Sequence, residues 1–146
     1  VNLNTYAAEV HAANAKWWIC LKCNQTGFIH VVGQRVTGDT TPIIVSVPCP
    51  YCKDGRLERN VGELLALVHS EISEGLEGHR KDLMDDKLPH RKMFEVELAD
   101  ALIRIFDIGA GLGLDLEGAY REKMEYNKNR EDHKIQSRLA QGGKRY

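Results

Sequence analysis

Four carboxylates and four cysteines have the types and spacing for chemistry in this sequence. Glu71 with Glu74 and Glu97 with Asp100 form two acidic pairs, each spaced i, i+3. On a helix that spacing puts both members of a pair on one face, a turn apart. Packing two such helices together gathers four carboxylates, which an interior tolerates only when cations neutralise them. Hard divalent cations such as Mg²⁺ or Mn²⁺ take oxygen ligands and favour sites that also hold phosphates. A single acidic pair is most often a solvated helix face. Two pairs on consecutive helices, each beside an apolar stripe, point instead to a metal-binding helical hairpin.

The cysteines read differently. Cys20 with Cys23 in CLKCNQTG, and Cys49 with Cys52 in CPYCKDG, are Cys-x-x-Cys turns followed by Gly27 and Gly55. Between them FIHVV and PIIVSV read as strands joined by a polar turn around Gly38 and Asp39. Two knuckles with two thiolates each make a tetrahedral zinc-ribbon site for structural Zn²⁺. A pair of disulfides or four free thiols is the other reading, and a reducing compartment disfavours the former. Four protein ligands leave no place for water, which argues against catalysis at this centre. His30 falls within a strand rather than on a knuckle.

Helical periodicity accounts for the rest of the chain. Residues 3 to 18 repeat apolar side chains at helical steps, with Asn4 or Thr5 as candidate caps and Trp17 and Trp18 at the end, read as core anchors. Asn60 and Glu63 open a second helix in the manner of a capping box, expected to reach about Gly78. Leu65, Val68, Ile72 and Leu76 give it an apolar stripe. Residues 79 to 92 form a polar connection containing Pro89, and a third helix follows from Met93 to about Ala110. Leu98, Ala101, Leu102, Ile105 and Phe106 line that helix, and both stripes are expected to face the core. Asp115 is the expected N-cap of a last helix to about Arg130. On it Lys123, Asn127 and Arg130 share one face, with donors suited to phosphate oxygens.

With 146 residues, 42% hydrophobic and 28% charged, the chain suits one globular domain with a small attachment. Its formal net charge of -1 gives no global argument for nucleic acid or an acidic membrane surface. Charge is segregated, however: residues 121 to 146 hold eight Lys/Arg against four Asp/Glu, and residues 71 to 107 hold ten acids against six bases. An acidic hairpin and a basic tail suit a metal-bound polyphosphate gripped from both sides. No apolar run approaches membrane-spanning length and no signal-peptide pattern opens the chain. A cytoplasmic location is expected, the host cytoplasm for a viral chain.

The segment from GELLALVHSE to REDHK resembles the MazG-like nucleotide pyrophosphohydrolases, a family of all-α NTP pyrophosphatases. The family's hallmark is E-x-x-E, then E-x-x-D on the next helix, then K-x-x-x-N-x-x-R. Here these residues are Glu71, Glu74, Glu97, Asp100, Lys123, Asn127 and Arg130. The closing DHK and GGKRY look like the tails of bacterial and phage relatives, and LNTYAAEVHAANAKWW looks like the family's first helix. The resemblance implies a mainly α fold, a MazG-like helical bundle formed by residues 1–18 and 58–146. Residues 19–57 would be a small β zinc ribbon inserted in the linker after the first helix.

The implied activity is conversion of a nucleoside triphosphate and water to a monophosphate and pyrophosphate. Glu71, Glu74, Glu97 and Asp100 would hold catalytic Mg²⁺ or Mn²⁺, with Glu74 the chosen proton acceptor. Lys123, Asn127 and Arg130 would bind the β and γ phosphates, and His11, Asn14 and Trp18 would contact the base. Relatives build their sites in homo-oligomers, dimers or tetramers, so the same is expected here. A purine deoxynucleotide such as dGTP is the expected substrate. The competing reading is a zinc-ribbon module for nucleic acid or protein, with non-catalytic helices that dimerise. Its strands would be expected to carry basic and aromatic residues, and FIHVVGQRVTGDTTPIIVSV offers Arg35 and few others.

Overall fold

The computed structural model describes residues 2–33 and 42–130 together with positions 134, 135 and 139. Its described residues form four α-helices and one two-stranded antiparallel sheet, a mainly α architecture. The turn expected around Gly38 and Asp39, and most of the basic tail, lie outside the described residues.

Helix α1 spans Leu3–Asn14, and its cap is Asn2, whose Oδ1 accepts from the Thr5 N–H at 3.0 Å. The expected caps are thereby corrected. Asn4 sits inside the helix and instead ties it to the last one, donating to Asp115 and accepting from the Glu117 N–H. The helix also stops short of Trp18. Ala15–Trp17 tightens into a 3₁₀ turn closed by the Trp18 N–H on the Ala15 carbonyl. This leaves the Trp17 and Trp18 carbonyls free for the segment returning from the ribbon. The two tryptophans part company there: Trp18 is 4% exposed and Trp17 57%.

Strands β1 (Phe28–Gly33) and β2 (Ile43–Pro48) pair from Phe28 opposite Pro48 to Gly33 opposite Ile43. Helix α2 spans Val61–Lys81, capped by Asn60, which accepts from the Gly62 and Glu63 N–H groups. It runs three residues beyond Gly78 because Asp82, at φ 53°, supplies a left-handed C-cap. Helix α3 spans Met93–Gly111, and α4 spans Leu116–Asn129 with Asp115 as its cap.

Helix α3 is the centre of the bundle, packed on α2 and on α1, and α4 lies against α1. The core is small: Trp18, Leu64 and Ile108, with Val68 against them. On α2 the inward residues are Leu64, Val68, Glu71, Gly75 and Gly78, at helical steps of four and three. A Cβ on Gly75 would lie 3.3 Å from the Glu97 Cβ, and one on Gly78 2.9 Å from Met93. Two missing side chains thus let α2 and α3 approach closely at the level of the acidic pairs. The expected inward stripes are corrected accordingly. Leu65, Ile72 and Leu76 of α2, and Leu98, Leu102 and Ile105 of α3, are exposed in the single chain. Glu71 and Glu97 take the inward positions beside the core residues. No helix among the described residues is long and apolar enough to cross a membrane.

Candidate metal centres and ligand cavity

The ribbon's knuckles are built by backbone that few residues can adopt. Asn24, Gln25 and Asp54 are left-handed, and Gly27 and Gly55 follow at φ 77° and 83°. The two knuckles also interlock. Cys20 N–H donates to the Gly55 carbonyl at 2.8 Å, and Cys49 N–H to the Gly27 carbonyl at 2.7 Å. A Cβ on Gly55 would come within 2.0 Å of the Gln25 carbonyl oxygen, so glycine is required at that crossing.

The result brings Cys20, Cys23, Cys49 and Cys52 together as free thiols with sulfurs within 4.8 Å of one another. The Cys20–Cys49 and Cys23–Cys52 separations are 3.8 and 3.6 Å. Four sulfurs about 2.3 Å from a tetrahedral ion have edges of about 3.8 Å, so the set fits Zn²⁺. Four adjacent thiols also share protons unevenly. Burial, opposed and outweighed by hydrogen bonds to Gly27 and the other thiols, leaves Cys23 at about 7. Burial and its three neighbours push Cys52 up to about 12. His30 is exposed on β1, opposite Ser46, and takes no part.

The second centre lies beside the close approach of α2 and α3 at Gly75. Glu71, Glu97 and Asp100 each offer a carboxylate oxygen, all within 4.8 Å, an arrangement that could hold a metal ion. Glu71 is 7% and Glu97 8% exposed. Burial, a hydrogen bond with Glu71 and the charges of Glu74, Glu71 and Asp100 push Glu97 up to about 7. Asp100 is raised by burial and by Glu71, against the lowering effect of Arg104. Such a set holds a proton or a cation. Glu74 stands apart: it is exposed and accepts from Ser70 Oγ at 3.0 Å, though its charge still reaches Glu97.

Three residues at this centre escaped the sequence reading. Arg104 Nε donates to Glu71 Oε1 at 2.5 Å, a built-in partial counter-charge. The detectable signal was its i, i+4 spacing from Asp100. Asp85, buried in the loop after α2, accepts from the Lys87 and Leu88 N–H groups, and its charge raises Asp100. Asp107 accepts from Trp18 Nε1 at 3.0 Å and lies 2.8 Å from His11 Nδ1. Nothing in spacing marks Asp107, whose partners are distant in sequence, or ties Asp85, bonded within its own loop, to Asp100.

A cavity of about 450 Å³ opens beside the carboxylates. Asp100 and Arg104 stand at its metal-site end, and Leu64, Leu67, Ile103 and Ile108 give it apolar surface. Asn14, Trp17, Arg59 and Asp107 also line it. Of the three expected base contacts, Asn14 lines the cavity. His11 and Trp18 do not line it, but they hold Asp107, which does.

The basic residues of α4 are gathered elsewhere. Lys123 and Arg130 lie over the Tyr126 ring, at 4.7 and 5.9 Å, and Asn127 Oδ1 is enclosed with no hydrogen-bond partner among the described residues. Among the described residues the packing partner of α4 is α1.

No family model, curated protein or solved structure matches the chain.

Proposed function

We propose that the chain is a MazG-like, metal-dependent nucleoside triphosphate pyrophosphohydrolase, converting a (d)NTP and water to a (d)NMP and pyrophosphate. The observation that carries this reading is Asp100, which belongs both to the carboxylate cluster and to the lining of the cavity. A cation site and a ring-sized cavity sharing one wall suit a ligand with an aromatic end and a polyanionic end. The resemblance of the acidic and basic motifs supports the same assignment.

Glu71, Glu97 and Asp100 would hold Mg²⁺ or Mn²⁺. Such an ion, when bound, neutralises phosphate oxygens and lowers the pKa of a water. Glu74, exposed one turn beyond Glu71, would take the proton of the attacking water. Arg104 reaches the cavity from its anchor on Glu71 and would face the phosphates. Lys123, Asn127 and Arg130 would stabilise the departing pyrophosphate. In a homo-oligomer they would come from a second copy of the chain. The exposed apolar faces of α2 and α3 favour such self-association. A purine deoxynucleotide such as dGTP is the first substrate to try, and Zn²⁺ in the ribbon would be structural.

Pyrophosphate release from a panel of dNTPs and NTPs, with Mg²⁺ or Mn²⁺ and with a chelator, tests the assignment. Metal-dependent release of pyrophosphate with the matching monophosphate is the expected result. Orthophosphate as the product, or no turnover of any nucleotide, would reject it.

A further inference from the structure

The cysteine ribbon is fastened to the helical bundle beside the cavity, and two of the fastening residues, Trp17 and Arg59, line it. The Leu57 N–H donates to the Trp18 carbonyl at 3.0 Å, and Ile19 pairs with Arg56 as an isolated antiparallel bridge. Arg59 follows, its Nη1 donating to the Trp17 carbonyl at 2.7 Å and its guanidinium carbon 5.6 Å from the Trp18 ring centre. The outgoing and returning chains are thus clamped together between the bundle and the first knuckle. Cys20 lies two residues beyond Trp18, and its N–H is held by Gly55 of the second knuckle. Trp18 has little freedom to follow any movement of the ribbon. A Cβ on Gly111 would lie 2.4 Å from its ring, and Asp107 holds its indole N–H.

We infer that Trp17 and Arg59 form a ring-binding wall of the cavity, and that the tetrathiolate centre positions that wall. The inference rests on the reading of the cavity as a nucleotide site and names what sets affinity for the base. An exposed indole and a planar guanidinium, both lining one cavity, are surfaces on which a nucleobase stacks. Both residues are positioned by backbone at the ribbon's root, and the ribbon's own core is little more than its cysteines with Ile29 and Leu57. So small a unit depends on metal ligation for its order. Zinc occupancy accordingly governs ring affinity from outside the carboxylate centre, and the polyphosphate end of the ligand is insensitive to it.

The test compares a ligand that has a ring with one that does not. A non-hydrolysable α,β-imido deoxynucleotide and inorganic tripolyphosphate, each with Mg²⁺, are titrated calorimetrically into the zinc-loaded full chain. The same titrations follow with the zinc-stripped chain and with Arg59→Ala, Arg59→Lys and Trp17→Ala, whose helical content is checked by circular dichroism. Arg59→Ala, Trp17→Ala and zinc removal should each weaken the nucleotide about tenfold, the scale of a lost stacking surface, and change tripolyphosphate less than about twofold. Arg59→Lys should fall between. Should stripping unfold the bundle, the point variants decide. Equal losses for both ligands, or no loss for either, would overturn the inference. Nucleotide binding without pyrophosphate release would reject the proposed activity and leave the wall standing. Absence of any nucleotide binding would reject both.

Discussion

In the ribbon, four ligands come from two turns whose geometry is written locally, by Cys-x-x-Cys spacing and by glycines at positive φ. In the hairpin, three ligands come from the middles of two long helices and meet only because Gly75 and Gly78 let those helices close. The first centre completes a four-sulfur shell. The second is a three-oxygen cluster with Arg104 as a partial counter-charge and a cavity at its side. A completed shell serves stability, whereas an incomplete one beside a cavity leaves coordination positions for a ligand and water. Under the proposed function, order belongs to the first centre and chemistry to the second, and each of the following experiments presses on that division.

The largest effect is expected at the open centre. Asp100→Asn or Glu97→Gln should lower pyrophosphate release by about a hundredfold or more, since the carboxylates act as one unit. The apo proteins should remain folded, and Glu97→Gln should melt no lower than the parent, because it removes one of several crowded negative charges. Parent-like turnover in either variant would erase the distinction between the centres.

Cys49→Ser makes the converse cut. Zinc analysis of the parent, purified without chelator under reducing conditions, should give one ion per chain, and the variant should lose it. Amide exchange should then accelerate across residues 20–57 and stay slow in the middles of α2 and α3. Exchange that accelerates equally in all helices would mean that the ribbon holds the bundle together, contrary to the division proposed.

How much of this was legible beforehand depends on whether partners were close in sequence. The knuckles, the strands, the caps Asn60 and Asp115 and the helices that carry the acidic pairs are local signals, and the structure places those elements accordingly, whereas the first cap is Asn2 rather than Asn4 or Thr5. The misreadings came where packing decided. Leu65, Ile72 and Leu76 have the periodicity of a core stripe, yet α3 meets α2 on the face of Leu64, Glu71 and Gly78. Periodicity names an apolar face but not what covers it. The adjacent Trp17 and Trp18 could not be told apart until the 3₁₀ turn sent one into the core. Asp107 joins Trp18 and His11 across 89 and 96 residues, separations at which spacing carries no signal.

A smaller effect, on stability rather than turnover, follows from proton linkage. Glu97 is raised from 4.5 to about 7 in the folded apo protein, by burial first and then by Glu71 and its neighbours. The folded state therefore binds more protons than the unfolded chain between those values, and apo stability falls as pH rises from about 4.5 to about 7. Asp100, raised as well, adds in the same direction. A melting series on metal-free protein should show that decline, and Glu97→Gln should flatten it. Saturating Mn²⁺ should flatten it too, by replacing the proton with a cation. Apo stability that rises steadily across this window would show that the carboxylates are not crowded as described.

The finest test concerns Arg104, which has no equivalent in the ribbon. Its guanidinium is partly exposed while Glu71 is buried, so the pair offsets only part of the cluster's repulsion. Arg104→Gln should lower the apo melting temperature, by the few degrees that about 1 kcal/mol represents in a chain of this size. It should also tighten Mn²⁺ a few-fold, since a cation beside the site no longer opposes the incoming ion. The stability loss should disappear in Arg104→Gln/Glu71→Gln, where the unpaired charge is gone, whereas Mn²⁺ should bind that variant more weakly than the parent because one carboxylate of the set is missing. Calorimetric Mn²⁺ titration and melting of the two variants beside the parent measure both. An apo melting temperature and Mn²⁺ affinity unchanged in Arg104→Gln would mean that the arginine does not act as the cluster's counter-charge. The open centre would then have to relieve its repulsion through the Glu97 proton alone.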